Sequence, residues 1–200
     1  MKLLLGTQNS AKIDEYKKYL VHSNLRLLTP REIRFTEGPL EIGKTFAENA
    51  LQKARFYAEH TEYAALGEDG GFEIDALDGE PGVYSRRWVG EHGTDEDRIR
   101  KVFEKLEGIP ASERTARLKL VVVVYFPAER DYISVERSID GIIPDKPSET
   151  RIHDFPYRSV LFLPKFNKYY CGLSEDEHEE TNHRKDACRE LLLKLEPYIN

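Results

Sequence analysis

At 200 residues, with a formal net charge of −6 and 33% charged residues, the chain is long enough to bury a substantial core in one domain without disulfide or metal staples. Its acidity argues against a broad nucleic-acid surface, so no nucleic-acid partner is expected, and a small anionic ligand would need a local basic pocket. Cys171 and Cys188 show neither metal-ligand nor redox spacing, and the apolar run "KLLL" near the start is too short for a signal peptide or membrane span, so a cytoplasmic protein with no membrane partner is the expectation.

In chain order, "KLLL" (2–5) reads as a short buried strand ended by Gly6. Ile13, Tyr16, Tyr19 and Leu20 then fall at helical spacing, with Asn9 or Ser10 placed to cap a helix over 11–20. "LRLL" (25–28) reads as a second strand. Thr45 and Glu48 form a capping-box pair, and Phe46, Ala50, Ala54, Tyr57 and Ala58 make one apolar face of a helix running to His60. "YAALG" (63–67) and "FEI" (72–74) read as strands around a glycine turn, and residues 94–106 as a helix. "ARLKLVVVVYF" and "DYISVERSIDG" suggest a long antiparallel pair, and "SVLFLP" another strand. The charged stretch "SEDEHEETNHRKD" (174–186) reads as a loop entering a last helix over 182–195. Helices alternating with strands early and a hairpin later predict an α/β fold on a mixed sheet.

One motif match needs weighing against its context. Gly38, Gly43, Lys44 and Thr45 in "GPLEIGKT" fit the phosphate-loop pattern G-x-x-x-x-G-K-[ST]. The preceding "REIRFTE" carries charges where that motif needs a buried strand, and Glu41 inside the loop would repel a phosphate unless a cation lay between them. "GTQNSAK" (6–12), at the junction of a strand and a helix N-terminus, is the better phosphate loop, with Lys12 supplying charge one turn in; ordinary capping is its bland alternative. Thr45, Asn49 and Lys53 share a polar stripe at i, i+4, i+8. Residues 67–90 contain six glycines and six carboxylates, and Gly70 and Gly71 follow the adjacent acids Glu68 and Asp69, an arrangement suited either to presenting carboxylates to hydrated Mg²⁺ or to an acidic hairpin edge.

The runs "GTQNSAK", "EIGKTFAENALQKA" (41–54), "EDGGFEIDALDGEPGVYSRRWVG" (68–90), "TDEDR" (94–98), "FPYRSVLFLP" (155–164) and "NHRKDA" (182–187) occur in an order that resembles the inosine triphosphate/xanthosine triphosphate pyrophosphatase family over nearly the whole chain. The resemblance makes "GKTF" a helix entry and the phosphate-loop match accidental. It implies a single domain over 1–200 with two lobes, a twisted mixed sheet with flanking helices and a deep central cleft, and a homodimer. The implied reaction is Mg²⁺-dependent cleavage of ITP, dITP or XTP to monophosphate and pyrophosphate, removing deaminated purine nucleotides. Carried over by position, Thr7, Gln8, Asn9, Ser10, Ala11 and Lys12 line the triphosphate, and Lys12 and Lys53 neutralise it. Glu41 and Asp69, with Glu68 beside them, hold the metal, and Asp69 also orients or deprotonates the attacking water. Gly70, Phe155, Pro156, Tyr157, Arg158 and His178 belong to the substrate pocket; Phe155 stacks on the base, while His183 and Arg184 approach its 6-oxo group.

Four stretches of the chain depart from the family pattern. Glu68-Asp69-Gly70-Gly71 stands for Asp-Asp-Ser-Gly, Arg158 replaces an aspartate, His178 a lysine, and Asn182 a serine. The acids are kept while the base pocket is altered. A pyrophosphatase retuned to another base, or a nucleotide-binding module with degraded catalysis, therefore stands as the alternative, and a phosphate-loop kinase comes last.

Overall fold

The computed structural model describes residues 1–199. In order, its elements are β1 (Lys2–Leu5), α1 (Ser10–Tyr19), β2 (Arg26–Leu28), α2 (Phe46–Thr61), β3 (Ala64–Ile74), β4 (Pro81–Gly82), α3 (Asp95–Lys105), β5 (Thr115–Phe126), β6 (Asp131–Ile142), β7 (Phe162–Leu163), β8 (Lys168–Tyr169), α4 (Glu175–Glu180) and α5 (His183–Ile199). Among these residues the strands form a mixed eight-stranded sheet ordered β2-β1-β3-β5-β6-β7-β8, with β4 beside β3. The α/β expectation holds.

The chain divides into two compact units, one made of Met1–Asp69, Leu120–Arg137 and the chain from His183 onward, the other of Gly70–Lys119 and Ser138–Asn182. In the first unit β1 pairs in parallel with β2 and with β3, matching Leu3 to Leu27 and to Ala64. Its core joins Leu3, Leu5 and Leu66 of the sheet to Tyr16 and Leu20 of α1 and to Cys188, Leu191 and Leu195 of α5. The second unit has its own core, in which Phe72 and Ile74 pack with Ile99, Val102, Leu161 and Tyr157.

The capping signals act where the sequence places them. The Thr45 hydroxyl accepts from the Glu48 amide while the Glu48 carboxylate accepts from the Thr45 amide, closing the capping box of α2, and Thr94 with Asp97 does the same for α3. Asn9 is the cap of α1.

Three expectations are corrected. Residues 63–74 are not two strands around a glycine turn: β3 runs unbroken through Gly67, Gly70 and Gly71. Gly67 is there for close packing, since a Cβ on it would lie 2.2 Å from the Ala50 carbonyl oxygen and 2.5 Å from the Ala54 nitrogen of α2. The 174–186 run is not all loop either, because Ser174 and Glu177 form a capping box that starts the short helix α4. The last helix also extends past 195, carried by buried Leu191, Leu195 and Ile199 at i, i+4, i+8.

Gly67→Ala is expected to cost about 3 kcal/mol, which lowers Tm by roughly 6–12 °C in a chain of this size. A thermal melt followed by circular dichroism reads this directly, and an unchanged Tm would contradict the close approach of α2 to β3.

Candidate functional site

The first strand ends against its neighbour through the Gly6 amide, which donates to the Leu66 carbonyl at 2.7 Å. Beyond it the chain turns: the Asn9 amide donates to Thr7 Oγ1 at 3.2 Å, the Gln8 side chain donates to the Thr36 carbonyl at 3.3 Å, and Asn9 Oδ1 accepts from the Lys12 amide at 3.2 Å. Gln8, Asn9, Ser10 and Ala11 are exposed, with Thr7 and Lys12 half-buried, so the loop presents the N-terminus of α1 to solvent. A helix N-terminus with a lysine one turn in favours an anion.

The polar stripe of α2 faces the middle of β3, at Glu68 and Asp69, within the same unit. Asn49 is 1% exposed, and its amide does two things: Nδ2 donates to Asp69 Oδ2 at 2.9 Å, and Oδ1 accepts from the Gly43 amide at 2.8 Å. Gly43 is required for this, because a Cβ there would come within 2.6 Å of Asn49 Oδ1. The "GKT" glycine therefore admits Asn49 to the backbone, and the segment before it, residues 35–42, is irregular rather than a strand. One turn on, Lys53 Nζ lies 3.1 Å from the Glu68 carbonyl oxygen, 3.3 Å from Asp69 Oδ1 and 2.8 Å from Glu41 Oε1. Two carboxylates thus share one ammonium, the Asp69 side chain 13% exposed and that of Glu41 46%. Both are hard oxygen donors able to hold a small divalent cation together with phosphate oxygens and water. Among the described residues no group of three or more His, Cys, Asp and Glu side chains is placed to hold a metal ion.

Glu68, expected beside them as a third metal ligand, is turned elsewhere. Its side chain is buried against Lys12 Nζ at 2.9 Å from Oε1, Arg184 Nη2 at 2.8 Å from Oε1, Arg184 Nε at 2.9 Å from Oε2, and the Tyr16 hydroxyl on Oε2. Burial alone would raise its pKa, but the Lys12 and Arg184 charges and the hydrogen bonds from Arg184 and Tyr16 hold it well below the usual carboxylate range. Burial and the Glu68 charge push the Tyr16 hydroxyl up, and burial pushes the neighbouring Cys188 thiol up to about 12. Arg184 Nη1 also donates to Glu15. The Arg184 guanidinium, expected at a base edge, is engaged by Glu68 and Glu15; His183 precedes it as the first residue of α5.

In the second unit, Gly70 lies within β3 next to Asp69. Of the four-residue run starting at Phe155, only two side chains reach the surface. Pro156 is buried, and Tyr157 is a core residue whose ring stacks on Phe72 at 4.8 Å and whose hydroxyl donates to the Ser85 carbonyl at 2.7 Å, which departs from the expected substrate contact. Phe155 is 43% exposed, and the Arg158 guanidinium lies over its ring at 4.2 Å and over the Tyr170 ring at 5.1 Å. The ring of His178 meets Tyr170 edge-on at 4.8 Å.

The sequence shows Asn49 only as part of a stripe and Tyr16 only as an apolar helix position, and it does not single out Glu15. The available signal was helical: Glu15 and Tyr16 lie three and four residues after Lys12, on the same face of α1.

The chain matches the model of the Ham1 family over residues 3–194. It is 35% identical over 193 residues to the dITP/XTP pyrophosphatase of Bacillus subtilis, covering 96% of each chain. Its fold superposes on the HAM1 protein of Coxiella burnetii with a TM-score of 0.88 at 30% identity, covering 98% of each chain. A Mycobacterium abscessus structure described as a nucleoside-triphosphatase / dITP/XTP pyrophosphatase gives 0.81 at 30% identity, over 96% of this chain and 99% of that one. This chain belongs to the Ham1 family.

Proposed function

We propose that the chain is a nucleoside triphosphate pyrophosphohydrolase acting on ITP, dITP and XTP, in which both units serve one catalytic domain. The observation that carries this reading is Asp69, fixed by the buried Asn49 amide on one oxygen and by Lys53 on the other, with Glu41 on the same ammonium. Such a carboxylate is aimed and charged, as a group that accepts a proton from an attacking water must be. Water adds to the α-phosphorus, its proton passes to Asp69, and the bond to the β-phosphate bridging oxygen breaks, releasing monophosphate and pyrophosphate. Lys12 and the loop of residues 7–12 line the phosphate chain, while Lys53 offsets charge near the reacting centre. Glu41 and Asp69 fit Mg²⁺ in donor type and number, and bound Mg²⁺ would supply charge neutralisation of the departing pyrophosphate.

For the base, Phe155 supplies stacking and Arg158, His178 and His183 edge recognition, while Arg184, which follows His183 in the chain, is held by Glu68 and Glu15. Donors at the 6-position accept an oxo group and leave an amino group facing other donors, which selects against ATP. Homodimer formation rests on the family resemblance and a cytoplasmic setting on the cysteine usage; among the described residues no helix is long and apolar enough to cross a membrane. Hydrolysis of ITP, dITP, XTP, GTP and ATP with Mg²⁺ tests the reading. Pyrophosphate from the first three well above GTP and ATP supports it, whereas orthophosphate release or ATP as best substrate contradicts it.

A retuned base preference is favoured by one observation, the Arg158 guanidinium on the Phe155 ring. A cation there suits xanthine, which has a second oxo group and an acidic ring N–H, while guanine offers a donor at that edge. XTP is expected to be cleaved at least as efficiently as ITP, with Arg158→Asp moving the preference toward ITP. An unchanged ratio of kcat/KM values for XTP and ITP in that variant would show that Arg158 does not read the base.

A further inference from the structure

We propose that Glu68 is a positioning residue, not a metal ligand: its buried carboxylate clamps Lys12 in the conformation that receives a phosphate and ties that lysine to Arg184. The proposal rests on the reading of Lys12 as a phosphate ligand. The first support is a count of donors. An ionised carboxylate offers about four lone-pair sites. Oε1 receives Lys12 and Arg184 Nη2, and Oε2 receives Arg184 Nε and Tyr16, which leaves no site for a cation.

The second support is the gradient of exposure across the group. The side chains of Glu68 and Arg184 are 4% and 13% exposed, whereas that of Lys12 is 34% exposed. Lys12 is thus the member of the cluster whose ammonium is both anchored from below and open to a ligand above. An ammonium has three protons, so one bond to Glu68 leaves two for phosphate oxygens. A lysine stem otherwise samples many rotamers, and holding it in advance reduces the ordering cost of binding. The anchor is itself rigid. Tyr16 belongs to the first unit's core, and Arg184 is bound on its other side by Glu15.

Removal of the carboxylate therefore leaves Lys12 and Arg184 facing each other as unscreened cations on a shared site. Its consequence is functional coupling: what Glu68 contributes should depend on Lys12 being present. A residue that only stabilises the fold would show independent effects.

The experiment is a double-mutant cycle of Glu68→Gln and Lys12→Ala. It reads inorganic pyrophosphate binding by calorimetry with Mg²⁺ present and, separately, kcat and KM for ITP. Glu68→Gln alone should weaken pyrophosphate binding about tenfold and act mainly on KM, with less than about a twofold further effect in the Lys12→Ala background. Glu68→Asp, which keeps the charge, should recover most of the loss, and the Mg²⁺ concentration for half-maximal binding should stay within about twofold of wild type. Additive effects around the cycle overturn the proposal, and so does a tenfold shift in the Mg²⁺ requirement, which would mark Glu68 as a metal ligand. If Glu68→Gln does not fold, Tyr16→Phe takes its place: a loss that vanishes in the Lys12→Ala background supports the clamp, and an additive one overturns it. Failure of the wild type to hydrolyse ITP or XTP overturns the functional reading, while the pyrophosphate cycle still decides the role of Glu68.

Discussion

Asp69→Asn is expected to lower kcat by roughly a thousandfold while nucleotide binding stays measurable, because it removes the proton acceptor but keeps the shape of the side chain. The surroundings sharpen the effect. In the native arrangement Asn49 Nδ2 donates to one Asp69 oxygen and Lys53 approaches the other, so an asparagine amide group must face a donor whichever way it is turned. The substitution thus removes the charge and disturbs the aim together. Glu68→Gln should leave kcat far closer to wild type, since that neighbour acts through Lys12. Rates and calorimetry on both variants decide the matter, and near-normal turnover in Asp69→Asn would sink the assignment of Asp69.

Lys53→Ala is expected to reduce kcat/KM about ten- to a hundredfold, the equivalent of losing a charge-assisted contact of roughly 1.5–3 kcal/mol. Its ammonium holds Glu41, Asp69 and the Glu68 carbonyl in one place, and without it the two carboxylates repel each other with no counterion. Lys44 provides the contrast. It is exposed, and its backbone amide, donating to Glu48 at 2.6 Å, is what serves the cap of α2. Lys44→Ala should therefore stay within about twofold of wild type, since alanine keeps that amide. The reverse ranking would revive the phosphate-loop reading of residues 38–45.

What could be read in advance depended on how local the determinant was. The caps of α1 and α2 were legible because donor and acceptor are three residues apart, and the apolar face of α2 because it repeats at helical spacing. The glycines of β3 were misread because the same residues serve a turn or a tight helix contact, and the deciding atoms belong to Ala50 and Ala54. Asp69 and Lys53 were identified through family resemblance, whereas the Asn49 bridge that aims Asp69 needed the fold. The Glu68 cluster was out of reach of any local rule: Tyr16 and Arg184 meet that carboxylate across separations of 52 and 116 residues. Adjacency to Asp69 suggested a shared metal role for Glu68. In a strand, however, consecutive side chains point to opposite faces, and that alternation sends the two acids to different partners.

The central claim is that water attacks the α-phosphorus and pyrophosphate leaves. Hydrolysis of ITP or XTP in ¹⁸O-labelled water, with both products analysed by mass spectrometry, tests it most directly. One ¹⁸O atom is expected in the nucleoside monophosphate and none in the pyrophosphate; label in pyrophosphate or in released orthophosphate would contradict attack at the α-phosphorus.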